Sequence, residues 1–209
     1  MKAIHLTTAM AGALALAGIA PVYAQDYVAS GFYGAIGYDN VSPQSDTGVL
    51  AGAFQSSIGS DSEPTLTLGY RFPQGWGVEG WLPITRFQHN VSLNGAQSAS
   101  IKHMPILLTA QYHFLQNQAL QPFVGLGYGW VNVSDVRTTG PIAGTNLNVQ
   151  NGSGVVGQLG VDYFVTPNVF VRADAKYFNW SSNVQLNGAA IGHVDVNPWI
   201  YGVSVGYKF

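Results

Sequence analysis

Four side chains of the sequence could combine into a nucleophile and a general base. They are His89, Ser92, His103 and His113, and an imidazole within hydrogen-bond reach of a hydroxyl can activate it for attack. No recognisable motif places an acidic partner beside them. We therefore predict a protein that is not an enzyme and has no catalytic residues, and a lipid hydrolase stays as a less favoured alternative.

Other common kinds of site have still less support. The run Gly125-x-Gly127-x-Gly129 resembles a phosphate-binding loop, but it lies inside a predicted strand with no helix after it. The sequence has no cysteine, and its histidines form no metal-binding motif. The formal net charge is −2, which gives no basic surface for nucleic acid. We predict no cofactor, no metal and no nucleic-acid partner.

The most distinctive charges alternate with apolar residues. In residues 169–177 one face of a strand would carry Arg172, Asp174 and Lys176, and the other face is apolar or small. Such a charged face belongs either to water on a soluble sandwich or to the lumen of a membrane barrel. Charged residues make up 9% of the chain and aromatic residues 12%, whereas soluble domains have about 25% charged residues. The composition therefore favours the barrel.

Eight segments have the period of two that is typical of strands. The clearest is 199–209, where aromatic and branched residues alternate with small or charged ones. The segments are 26–40, 65–72, 76–85, 101–114, 121–133, 154–164, 169–177 and 199–209. The facing of the first segment is ambiguous, so Tyr27, Phe32 and Tyr33 are not assigned to lumen or lipid. The sequence predicts an all-β fold, an eight-stranded antiparallel transmembrane β-barrel.

The connections between these segments alternate in length. Short turns are predicted at 73–75, 117–120 and 166–168, and longer polar stretches at 41–63, 87–100, 134–153 and 182–195. Outer-membrane barrels have short periplasmic turns and longer extracellular loops. We therefore predict a protein of the Gram-negative outer membrane, in contact with its lipid, with both ends of the barrel on the periplasmic side.

The N-terminal residues are predicted to direct export. Lys2 precedes an apolar stretch at 9–19, and Val-Tyr-Ala at 22–24 offers small residues at the positions that signal peptidase reads. The apolar stretch is short for a membrane-spanning helix, which needs about 20 residues. We predict a signal peptide at 1–24 and a mature barrel at 25–209.

Six charges are predicted to face the lumen. They are Arg71, Glu79, Asp162, Arg172, Asp174 and Lys176. Their formal charges cancel, and an eight-stranded barrel is just wide enough for side chains to fill it. Because buried charges must be paired, we expect these residues to form a structural plug beneath any channel.

Several stretches of the sequence resemble the OmpW family of outer-membrane proteins. They are Lys-His-Met-Pro at 102–105, Gln-Tyr-His-Phe at 111–114, Gln-Pro-Phe-Val-Gly-Leu-Gly-Tyr at 121–128, Gly-Gln-Leu-Gly-Val-Asp-Tyr at 157–163 and the segment 197–209. The resemblance covers most of the mature chain, whereas residues 41–63 and the other loops match poorly. It implies an eight-stranded barrel with a narrow, largely hydrophobic channel for small apolar molecules, and no covalent chemistry.

This resemblance suggests a route for a solute. A tunnel would be lined by inward residues such as Trp81, Leu107 and Phe123, and the solute would leave sideways near Pro83 and Pro105, because proline cannot donate to a sheet ladder. Equally, both prolines could lie at strand ends or bulges. The stretch 82–87 departs from the family's usual spacing around its proline.

Two further interpretations concern partners. A structural or adhesive barrel, whose loops bind surfaces or phage, shares the same fold and differs in having a closed, polar lumen. The terminal Tyr207 and Phe209 resemble the signal that the barrel assembly machinery recognises, which predicts a transient partner.

Overall fold

The computed structural model describes residues 30–44, 48–50 and 54–209. The predicted signal peptide at 1–24 lies outside this part of the chain. The described strands, in chain order, are β1 (Gly31–Ser42), β2 (Gly48–Leu50), β3 (Phe54–Ile58), β4 (Asp61–Arg71), β5 (Trp76–Pro83), β6 (Phe87–Leu93), β7 (Ala96–His113), β8 (Leu120–Thr138), β9 (Leu147–Val149), β10 (Gly152–Phe164), β11 (Val169–Asn179), β12 (Ser181–Leu186), β13 (Ala189–Asp195) and β14 (Trp199–Lys208). Single 3₁₀ turns occur at Pro73–Gly75 and Gly140–Ile142. Among the described residues, no helix has the length and apolar character needed to cross a membrane.

Eight of these strands close into a barrel. Their order around the ring is β1, β4, β5, β7, β8, β10, β11 and β14, and each neighbouring pair is antiparallel. The ring closes where β14 pairs with β1, for example with Ala35 opposite Gly206. Because lipid offers no hydrogen bonds to the backbone, a sheet can span a membrane only as a closed ring. The predicted eight-stranded antiparallel barrel is confirmed.

Side chains alternate between lumen and lipid along the barrel strands. In β14, Ile200 and Lys208 are buried inside, whereas Val203 and Val205 are exposed. Two belts of outward aromatic rings bound the lipid-facing band, as is typical of outer-membrane barrels. The lower belt, at the short turns, consists of Phe32, Tyr70, Phe72, Trp76, Tyr112, Phe114, Tyr163, Tyr207 and Phe209, and the upper belt consists of Tyr38, Tyr128, Trp130, Tyr177, Trp199 and Tyr201. We take the strand segments between the two belts as the membrane-spanning part.

Beyond the upper belt, the barrel wall continues as β-structure. The stretches 87–100 and 182–195, predicted as loops, are hairpins. Their two-residue turns, Asn94-Gly95 and Asn187-Gly188, have positive φ at both positions, as the tightest hairpin turns require. Above the membrane the outward face meets water, so its residues are polar although strand pairing continues. The apolar, lipid-facing pattern in the sequence therefore ends at the membrane surface, whereas the strands continue beyond it.

The position of the membrane band leads to a testable prediction. Leu126 of β8 faces lipid midway between the two belts and is 66% exposed. Leu126→Arg is expected to lower the free energy of unfolding by about 2–4 kcal/mol, because arginine near the bilayer midplane loses its hydration. Urea titration of protein refolded into lipid vesicles measures this change. Gln88→Arg, on the exposed face of β6, is the control and should change stability by less than about 1 kcal/mol. Equal losses at the two positions would contradict the assigned band.

Candidate functional site

An apolar pocket occupies the extracellular part of the lumen. Its walls come mainly from the strand extensions above the upper belt, and they surround a cavity of about 50 Å³, counted as the space open to the centre of a water molecule. The apolar lining residues are Pro43, Leu50, Ile58, Val91, Ile101, Val133, Leu147, Val149, Trp180, Val184, Val194 and Val196, and the polar ones are Ser56, His89 and His103. Pockets that bind small molecules are typically apolar, with a few polar groups that orient the ligand. This pocket therefore has the character of a site for a small, mainly apolar molecule.

Aromatic rings close the lower end of the pocket. Phe87 stacks against His89 and His103 of the pocket wall, with ring centroids 6.2 and 5.8 Å apart. Trp81 stacks with Phe87, at a centroid distance of 6.5 Å, and Leu107 lies opposite Trp81 on β7. Trp81 and Leu107, predicted to line a channel, are thus buried in an apolar floor below the pocket wall.

Two imidazoles are the ionisable groups among the described residues of the pocket wall. The rings of His89 and His103 stack in parallel, with centroids 4.8 Å apart, and Nδ1 of His89 lies 2.5 Å from the carbonyl oxygen of Gly59. Both residues lie above the upper belt. Burial lowers the pKa of His89, and burial together with repulsion from His89 lowers the pKa of His103 to about 3. Both rings are therefore neutral near pH 7.

The barrel wall is interrupted beside this floor. β5 pairs with β7 as far as Trp81, and pairing with β7 resumes at Phe87, where β6 begins. Residues 82–86 and 104–106 thus have no strand partner across this seam, although residues 104–106 pair with β8 on their other side. The interruption lies at the level where the pocket ends.

The two prolines predicted to mark a lateral opening lie on opposite sides of the interruption. Pro83 is the last residue of β5, as the strand-end alternative proposed, whereas Pro105 lies inside β7 opposite Val131 of β8. Both prolines are buried, and neither has an N–H that could bond across the seam.

Below the floor, paired charges fill the lumen. Nε of Arg172 donates to Oδ1 of Asp162 at 2.6 Å, and its Nη2 donates to Oδ2 of the same carboxylate at 3.0 Å. Nη1 of Arg172 donates to Glu79, and Arg71 donates to Asp162 from the other side. Asp162 is thus shared by two guanidinium groups, which is the pairing that a buried carboxylate requires.

A second cluster connects these charges to the apolar floor. Nζ of Lys176 donates to Asp174 at 2.5 Å and to Asp39 at 3.4 Å. The same Nζ lies 5.2 Å from the centroid of the Trp81 ring. We call the set of inward charges the charged layer; the six predicted charges that lie in it are Arg71, Glu79, Asp162, Arg172, Asp174 and Lys176.

Three further side chains lie with the six predicted charges in the lumen. Tyr33 donates to Glu79 at 2.7 Å, and Asp39 pairs with Lys176. Both belong to β1, whose facing was left open; the structure puts Tyr33 in the lumen and Phe32 in the lipid-facing set. Lys208, which is also buried, lies opposite Tyr33 on β14. Because Tyr33 pairs with the inward Lys208, alternation along β1 from Tyr33 gives Asp39 an inward facing as well.

Phe123 and His113 lie deeper than predicted. Phe123, expected to line the tunnel, packs in the charged layer, where Cζ of Arg172 lies 4.5 Å from its ring centroid and the His113 ring lies 4.8 Å away. The alternation of residue types along the strand predicted correctly that Phe123 faces inward. It does not show how far along the barrel axis the residue lies. His113 is ten residues from His103 along β7, which is about 33 Å at the rise of a strand. His113 therefore does not meet His89 and His103, whose rings stack on each other.

Known proteins resemble this chain over most of its length. A model described as the OmpW family matches residues 32–209. Outer membrane protein W of Vibrio cholerae is 30% identical over 210 residues, covering 94% of this chain and 95% of the relative. The crystal structure of OprG from Pseudomonas aeruginosa has a TM-score of 0.75 and 28% identity, covering 86% of this chain and 96% of that one. The solution structure of Escherichia coli outer membrane protein W has a TM-score of 0.62 and 27% identity, covering 87% and 98%.

The charged layer leads to a prediction about stability. Arg172→Met is expected to lower the free energy of unfolding by about 3–5 kcal/mol, because it leaves Asp162 and Glu79 with less compensation inside the barrel. Arg172→Lys keeps the charge without the planar fork and should recover part of this loss. Urea titration in lipid vesicles provides the measurement. A loss below about 1 kcal/mol for Arg172→Met, the size typical of exposed ion pairs, would contradict a buried network.

Proposed function

Because the chain belongs to the OmpW family of outer-membrane proteins, we propose that it is a channel that passes small hydrophobic molecules into the outer membrane. The solute enters the apolar pocket from the extracellular side, passes the floor and leaves sideways between β5 and β7. Its partners are the solute and the surrounding lipid. The observation that carries the proposal is the interrupted seam at the lower end of an apolar pocket.

The polarity of the lumen supports sideways release. Entry of an apolar solute into the pocket is favoured by about 25 cal/mol per Å² of apolar surface removed from water. A straight path toward the periplasm would have to separate the pairs that Arg172 and Lys176 make in the charged layer. Breaking a buried ion pair costs about 3–5 kcal/mol. The lipid beside the floor is the more favourable destination.

Passage requires the floor to rearrange. Phe87 and Trp81 stack across the route, so both rings must turn aside when a solute passes. Both flank residues 82–86, whose backbone lacks strand pairing with β7. Movement of this segment breaks no hydrogen bonds between strands across the seam. Residues 82–86 are therefore the gate in this proposal.

The closed floor and the filled lower lumen also favour a second candidate, a structural or adhesive barrel without transport. This candidate gives no role to the apolar pocket or to the interrupted seam. The hydrolase alternative is weakened because His113 lies in the charged layer, apart from His89 and His103.

We further propose that Tyr207 and Phe209 are read by the barrel assembly machinery during insertion. Both side chains are exposed on the lower belt, with ring centroids 5.1 Å apart, so an assembly factor could reach them from outside. Export to the periplasm would use the predicted signal peptide at 1–24.

Solute uptake tests the proposed channel. Cells that express the protein are expected to take up octane faster than cells that lack it. Changing Trp81→Asp and Leu107→Asp together should reduce uptake to the rate of cells without the protein, because two charges in the floor remove the apolar path. Octane in washed cells is measured by gas chromatography, with surface expression checked in parallel. Asn132→Asp, which adds a charge on the outer wall, is the control and should retain uptake. If the wild-type protein gives no acceleration, the structural or adhesive candidate is favoured.

A crosslink across the seam tests sideways release. The chain has no cysteine, so Arg86→Cys with Met104→Cys introduces a single pair at the edge of the interruption, one residue beyond the Phe87–His103 pair. Oxidation is expected to slow octane uptake at least about fivefold, and reduction should restore it, because the disulfide holds the gate closed. The control pair, Ala173→Cys with Val203→Cys, crosslinks residues already opposite each other on β11 and β14 and should have no effect. Unchanged uptake after complete crosslinking at the interruption would exclude this exit.

A further inference from the structure

We propose that the pocket prefers molecules with an apolar body and one neutral hydroxyl head group, such as medium-chain alcohols, and that His89 and His103 bind the head group. This inference rests on the proposed function, because it assumes that the apolar pocket is the place where solutes enter. It adds a preference within the class of small hydrophobic molecules, for those that can donate a hydrogen bond.

Each of the two imidazoles has a ring nitrogen without a hydrogen-bond partner. Nε2 of His89 and Nδ1 of His103 are buried and have no hydrogen-bond partner among the described residues. Buried polar atoms in proteins are nearly always hydrogen-bonded, and the exceptions concentrate at functional sites. Both residues line the pocket. Atoms of this kind in an apolar wall are the polar groups that orient a ligand.

The tautomer of His89 determines what this side chain can bind. Its Nδ1 lies 2.5 Å from the Gly59 carbonyl oxygen, which can only accept a hydrogen bond, so Nδ1 carries the proton. In a neutral imidazole the other nitrogen is then an acceptor. Nε2 of His89 therefore needs a donor from its ligand. An alkane, an ether or a ketone has no such donor, whereas a hydroxyl does.

The charge of the lining limits the head group further. Among the described residues, the pocket lining contains no lysine, arginine, aspartate or glutamate, so an ionised head group would be buried without a counter-ion. A carboxylate or an amine in its charged form is therefore disfavoured. A neutral alcohol satisfies the acceptor on His89 at no electrostatic cost.

The aromatic stack holds the acceptor in place. His103 lies parallel to His89 with an interplanar angle of 8°, and Phe87 stacks beneath both rings. The head group would therefore bind at the bottom of the pocket, next to the floor, with the alkyl chain toward the mouth. Nδ1 of His103 is available as a second contact to the same hydroxyl oxygen or proton.

Binding of two matched probes tests the inference. Octan-1-ol and octane are titrated separately into the purified protein in lipid nanodiscs, and binding is followed by NMR of the valine methyl groups of the pocket. His89→Phe is expected to raise the ratio of the alcohol's Kd to the alkane's Kd by about three- to tenfold, the effect of losing one hydrogen bond. His89→Gln keeps an acceptor and should retain most of the wild-type ratio. Val91→Ala, which removes only apolar surface, should leave the ratio unchanged. Partition of the probes into lipid is the same for every variant and cancels in this comparison.

The possible results separate this inference from the proposed function. If His89→Phe and Val91→Ala leave the ratio equally unchanged while both probes still bind, the head group is not read by the imidazole, and the channel proposal stands without the inference. If neither probe binds the wild-type protein, the inference is overturned. If the ratio depends on His89 but cells show no accelerated uptake, the alcohol site is supported and transport is not. Because His103→Phe keeps the aromatic stack, it provides a second variant should His89→Phe not fold, and it should shift the ratio in the same direction.

Discussion

Pairing of every backbone N–H and C=O in a medium without water is the constraint on which this structure depends. It forces the eight spanning strands into a closed ring, and it makes any unpaired stretch of the wall energetically unfavourable. At the interruption at 82–86, three features reduce the number of unpaired polar groups. Ile84 donates to the carbonyl oxygen of Pro64 at 2.8 Å, Thr85 reaches Glu63 through its hydroxyl, and the prolines on each side have no N–H to leave unpaired. The two prolines thus reduce the number of unsatisfied donors at the place where the seam is open.

The narrow ring also dictates what the lumen contains. Eight strands leave an interior that side chains fill, so charges placed there must neutralise one another. The charged layer contains four cations and four carboxylates, namely Arg71, Arg172, Lys176 and Lys208 with Asp39, Glu79, Asp162 and Asp174. Lys176 under the Trp81 ring forms the boundary with the apolar half, where a cation is still favourably placed. The polarity of the lumen therefore changes within one layer of side chains.

How much of this could be predicted depends on which property the sequence encodes locally. Alternation gave the eight strands and the inward facing of Arg172, Glu79 and Trp81, because lipid and lumen impose opposite polarity on neighbouring residues. It could not give height, which is set by the register between strands, so Phe123 was expected in the tunnel and lies beside Arg172. The facing of β1 was open because glycines at 31, 34 and 37 weaken its pattern. Asn-Gly pairs such as those at 94–95 and 187–188 are typical of tight hairpin turns, but the polar residues around them led to a prediction of loops.

The heights of the pocket and of the interruption explain why the two belong together. The pocket walls are strand extensions above the upper belt, so the pocket itself lies outside the hydrocarbon region and is reached from water. The interruption begins below Phe87 and ends at Trp81, whose neighbour Leu82 pairs with Leu66 within the spanning part of β4. A solute that moves from the pocket to the interruption therefore crosses from the level of the head groups to that of the acyl chains. It passes the stacked rings of Phe87 and Trp81, and the charged layer begins at Lys176, whose Nζ lies over the Trp81 ring. The stack of Phe87 and Trp81 that closes the pocket floor thus separates the water-exposed mouth, the lipid and the paired charges. We therefore expect a change in the floor to affect the route more than a change in the pocket wall.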